Sequence, residues 1–150
     1  MTPTRHRIPA HRGARAVLLG ALALAAAPAF AAGPDGDAIL GVWRGSSLCT
    51  DREVAPACKD EQVRYDFTHA ADAPAGSYHL AADKLVGGEY ARMGDLDFTF
   101  DAGKGEWTSE FRTARVHGIW SLHLGGEGLE GNLIDVPTGR VVRRVSVHRD

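Results

Sequence analysis

Arg143 lies in the run Arg140 to His148, at the same alternating parity as Val141, Val145 and Val147. On a strand, that parity turns a guanidinium toward an apolar interior. An unpaired buried charge is too costly to persist, so an inward Arg143 requires a partner. The carboxylate of a bound molecule would suit the planar fork of donors. Arg144, one position on, points to solvent.

Cys49 and Cys58 are the only cysteines. A redox pair usually has two intervening residues, and this pair has more. A zinc site would need two further ligands, and none lies close in sequence. A disulfide closing a short loop is the expectation, contributing about 2–3 kcal/mol by restricting the unfolded chain.

The remaining polar residues suggest little chemistry. His117 and His123 share the face opposite Val116, Trp120 and Leu122. A strand rises about 3.3 Å per residue, which sets them too far apart to share one metal. His69 and His148 fall near strand ends; a lone terminal histidine ligates haem in one family of barrels, but a solvated histidine is the ordinary case. Asp95, Asp97 and Asp101 form an outward acidic stripe rather than a calcium loop. The chain has no Gly-x-Ser-x-Gly, phosphate loop, dinucleotide fingerprint or His-Glu-x-x-His. No catalytic residue, metal or cofactor is assigned, and an enzyme is not expected.

The start of the chain indicates its compartment. Arg5, Arg7, Arg12 and Arg15 precede a nearly continuous apolar run from Ala16 to Ala27, and Ala29-Phe30-Ala31 follows. This order is that of a cleaved signal peptide over residues 1–31, cut after Ala31. The run is too short and too rich in alanine to span a bilayer, which takes about 20 apolar residues. A periplasmic or extracellular location is expected, where a disulfide persists. Four of the 17 basic residues are leader arginines and none of the 19 acids lies there, which leaves 13 basic residues against 19 acidic and a net of −6. That balance argues against nucleic acid as a partner and suits a soluble monomer.

The elements that must position these residues are strands. Residues 32–38 read as a flexible lead-in, and 39–150 as one domain. Period-2 alternation predicts strands over 39–48, 62–69, 77–86, 95–101, 106–112, 116–124, 129–136 and 140–148. Glycine- and proline-bearing turns join most of them, among them Gly87-Gly88 and Gly103-Lys104-Gly105. Short links make sequence neighbours spatial neighbours. An all-β, eight-stranded, antiparallel up-and-down barrel is the simplest closure, because it removes exposed edges.

Gly41-Val42-Trp43 near the start, with arginines on the last strand, resembles the lipocalin-like (calycin) barrels. The stretch from Gly41 to Phe67, with Met93-Gly94-Asp95-Leu96 and Gly118-Ile119-Trp120, is similar to a group of small exported bacterial proteins of unassigned activity. The resemblance implies that Trp43 lies across one barrel end, with Arg143 or Arg144 packed on it. That gives Arg143 a second reading beside a ligand carboxylate. The expected inner face is rich in aromatics, and an interior filled by side chains and one holding a ligand are both consistent with it. The expected function is binding of a small apolar or amphipathic molecule, lined by Trp43, Tyr65, Tyr78, Trp107, Trp120 and Arg143. The alternative is a protein-binding scaffold with a filled barrel, such as a periplasmic protease inhibitor engaging its partner through the N-terminal segment.

Overall fold

Alternation produces eight strands: β1 (Gly41–Cys49), β2 (Glu61–His69), β3 (Ser77–Val86), β4 (Glu89–Asp101), β5 (Glu106–Arg112), β6 (His117–Gly125), β7 (Gly128–Asp135) and β8 (Arg140–Arg149). The computed structural model describes residues 35–126 and 128–150, so the expected signal peptide and its cleavage site lie outside the described residues. Each strand pairs antiparallel with the next, and β8 returns to β1 to close the barrel. This up-and-down order is consistent with a calycin-like fold. Among the described residues no helix is long and apolar enough to cross a membrane.

The closing seam depends on Gly45. A Cβ there would lie 2.2 Å from the Ser146 carbonyl oxygen, so any larger residue would push β1 off β8. At the β3–β4 hairpin, Gly87 and Gly88 have φ of +62° and +91°. Those angles suit a two-residue turn whose twist matches its strands.

β4 starts at Glu89 rather than at the expected Asp95. A bulge hides its first half: Gly94 pairs with Ala82 and Arg92 with Asp83, leaving Met93 as the extra residue. The bulge breaks period-2 alternation where sequence reading depends on it. A second bulge falls in β8, where Leu133 pairs with Arg143 but Ile134 pairs with Val141. Val141 therefore does not share the inward parity of Arg143.

The barrel has two unlike ends. At one, the described part of the expected lead-in enters a 3-10 turn, Gly36–Ile39, with Gly36 and Ile39 buried. The Trp43 indole N–H donates to the Ile39 carbonyl at 2.7 Å, and that of Trp107 donates to the Gly36 carbonyl at 3.0 Å. The Tyr78 hydroxyl donates to the Asp37 carboxylate at 2.9 Å. Three buried polar groups are thus satisfied by the turn that covers them. The core there is Ile39, Trp43, Phe67, Tyr78, Phe98 and Trp107.

At the other end the links 49–61, 86–89, 112–117 and 135–140 surround an open mouth. Cys49 and Cys58 are joined in a disulfide that closes the base of the longest link. The Asp60 carboxylate accepts the Cys49 backbone N–H at 2.8 Å, and this bond, with the nearby Arg52, holds its pKa below the usual carboxylate value. The wall is incomplete on one side: β4 meets β5 only through Thr99, Phe100 and Asp101 opposite Thr108, Trp107 and Glu106.

Candidate functional site

The interior is filled at the covered end and hollow toward the mouth. The hollow measures about 330 Å³, at the lower end of the roughly 300–1,000 Å³ typical of small-molecule sites. Its walls are unlike. Leu80, Leu96, Phe98, Phe111, Trp120, Leu122 and Leu133 form an apolar side, while Ser47, Glu61, Tyr65 and Arg143 from β1, β2 and β8 form a polar one. Ala82 and Gly94 leave room between them.

Tyr65, Trp120 and Arg143 line this hollow. Trp43, Tyr78 and Trp107 do not. Their polar atoms are bonded to the 3-10 turn or its flank, and their rings pack in the covered end. Alternation sets their inward parity but carries no information on their height along the barrel.

The expected stacking of Arg143 or Arg144 on Trp43 is corrected by the strand register. β1 and β8 run antiparallel, so Trp43 at the start of β1 faces Arg149, whereas Arg143 faces Cys49. The Arg149 guanidinium lies 4.4 Å from the Trp43 ring centre and donates to the Leu40 and Ala38 carbonyls. Arg144 is exposed on the outer face.

Arg143 is engaged by the protein itself. Nη1 donates to Ser47 Oγ at 2.8 Å, the Ser47 carbonyl at 3.2 Å and Glu61 Oε2 at 3.2 Å. Nη2 donates to the Lys59 carbonyl at 2.8 Å and lies 3.2 Å from Cys58 Sγ. The pair is well shielded, with Arg143 and Glu61 side chains only 14% and 17% exposed. Glu61 also accepts from Lys84 Nζ at 3.0 Å. One carboxylate therefore sits between two cations, and the cluster carries one excess positive charge. Beside it, burial pushes the Tyr65 hydroxyl up to about 12, against the smaller opposing effects of Ser47 and Arg143.

Glu61, Lys84, Ser47 and Met93 were not singled out from sequence. The signal for Glu61 was present, since it shares the parity of Val63 and Tyr65. Met93 had none, because its place on the cavity wall comes from the bulge. The histidines remain peripheral: His117 bonds Glu110, and His79 lies between Asp95 and Asp97. Among the described residues no group of three or more His, Cys, Asp or Glu is arranged to hold a metal ion.

The site defines the protein as a closed eight-stranded antiparallel barrel with one covered end and a partly hollow interior. No protein family matches the chain, and neither a curated protein nor a solved structure does.

Proposed function

We propose that this is an exported, monomeric barrel that binds a small apolar or amphipathic molecule in the hollow beneath its mouth. The observation that carries this reading is the 330 Å³ hollow, with one apolar wall and one polar wall. An apolar body would replace water against Leu80, Leu96, Trp120 and Leu122, at about 25 cal/mol for each Å² of apolar surface buried. A polar end would lie near Glu61, Lys84 and Arg143. Arg143 acts here as a fixed part of the wall, since both its terminal nitrogens already have acceptors. The disulfide and the leader pattern support export. The acidic balance supports a partner other than nucleic acid, and nothing in the site supplies an activated nucleophile.

The filled-scaffold reading, with its N-terminal segment entering a protease cleft, is disfavoured by two observations. Gly36 and Ile39 are buried as part of the barrel's own cover, and the interior is hollow toward the mouth.

The test is native mass spectrometry of protein purified gently from its own host, alongside titration with the apolar anion anilinonaphthalene sulfonate. A retained small molecule, or dye binding that Ala82→Phe abolishes, supports the reading. A clean apo mass together with dye binding indifferent to Ala82→Phe would end it.

A further inference from the structure

The surface is polarised along the barrel axis. Every exposed large apolar side chain among the described residues lies toward the open end: Leu48, Leu85, Val86, Tyr90, Met93 and Val116. Leu85, Val86 and Tyr90 form the projecting β3–β4 hairpin around Gly87-Gly88, and Val116 tops the β5–β6 link. Charge follows the same axis. The mouth presents exposed Lys59, Arg112 and Arg115 against exposed Glu53 and Glu89. The other mouth cations are largely matched, as in Arg52–Asp60, Arg92–Asp83 and Arg140–Asp51. The covered end presents exposed Asp35, Asp37, Asp72, Asp101 and Glu130 against Lys104 and Arg149.

We propose that the open rim docks on an anionic lipid bilayer surface, with Val86, Leu85 and Val116 entering the headgroup boundary and Lys59, Arg112 and Arg115 meeting lipid phosphates. Three features favour a bilayer. The apolar tips stand on separate links around a hole, so a fluid surface can meet them all without a matching shape. The unmatched rim cations complement anionic headgroups, whereas the acidic covered end is repelled and orients the mouth inward. The proposal does not depend on what the hollow holds.

The test is co-sedimentation of the processed protein with vesicles of phosphatidylglycerol and phosphatidylcholine, against phosphatidylcholine alone. Retention on the anionic vesicles alone is expected. Arg112→Gln and Arg115→Gln should each weaken it about fivefold, and Val86→Glu should reduce it further. Asp72→Asn, at the covered end, should leave it unchanged. Dye binding in the hollow, measured on the same variants, should not move, so failure of docking is read separately from failure of ligand binding. No retention on anionic vesicles, or retention indifferent to all three rim variants, overturns the proposal. Capture on an acidic polypeptide support with none on vesicles replaces the lipid with an acidic protein partner.

Discussion

Trp43 and Arg149 are directly paired across the β1–β8 seam, and the Arg149 guanidinium rests 4.4 Å from the centre of the indole. The same guanidinium donates to two carbonyls of the segment covering the barrel end. One cation therefore joins the last strand, the first strand and the N-terminal turn. Arg149→Ala should destabilise by about 1–2 kcal/mol, from an exposed cation–π contact and the lost hydrogen bonds. Trp43→Ala, which empties a buried ring site, should cost about 3–5 kcal/mol. Denaturant midpoints at unchanged slope would check both, and equal losses would mean that the contact is not what holds the turn.

Ala82 is a small residue facing the hollow. Ala82→Phe should fill the space, lower anilinonaphthalene sulfonate affinity at least about tenfold, equivalent to ~1.4 kcal/mol, and leave the fold intact. Trp120→Ala, on the opposite wall, should enlarge the space and lower stability by about 3 kcal/mol. Fluorescence titration with parallel unfolding curves separates the two effects.

The disulfide holds more than its own loop, because Arg143 contacts Cys58 Sγ and the Lys59 carbonyl while bonding Glu61. Replacing both cysteines by serine should remove about 2–3 kcal/mol of stability. Arg143→Met leaves Glu61 with Lys84 as its remaining cation and should cost about 3 kcal/mol, as expected for breaking a shielded pair. Wild-type protein with reductant should unfold near the midpoint of the double serine variant. Coincidence of the oxidised and reduced curves would contradict this.

Tyr65 and Tyr78 both have hydroxyls raised to about 12, chiefly by burial, with the Asp37 carboxylate adding to the effect at Tyr78. The unfolded chain releases these protons from about pH 10. Between pH 10 and 12 the unfolded state binds fewer protons than the native state, so stability falls as pH rises. Phenolate absorbance should show two groups ionising near pH 12, and the denaturant midpoint should decline from pH 10 upward. Tyr65→Phe should flatten that decline, and an unchanged slope would refute the assignment.

The strands were legible because alternation with short turns leaves few other closures. Strand parity correctly placed Tyr65, Trp107, Val145 and Val147 inside. The partner of Trp43 was readable in principle: in an antiparallel seam the start of β1 must meet the end of β8, which leads to Arg149. The hollow was not legible. It depends on where side chains sit along the axis, on the small residues Ala82 and Gly94, and on the bulge at Met93. The bulge in β8 likewise moved Val141 off the parity of Arg143. The N-terminal cover escaped because Ala-Gly-Pro-Asp-Gly-Asp has the composition of a linker, and only the tertiary contacts of Trp43, Trp107 and Tyr78 order its described part.

The short contact between β4 and β5, confined to Thr99–Asp101 and Glu106–Thr108, gives the container one yielding side. Seven seams are stitched along most of their length and resist dilation. The eighth parts without breaking any ladder beyond those three pairs, and Met93 and Phe111 stand on either side of the gap. For the proposed ligand, size discrimination would be directional: bulk pressed toward β1, β2 and β8 would meet the Arg143–Glu61 brace, while bulk pressed toward β4 and β5 would be met by give.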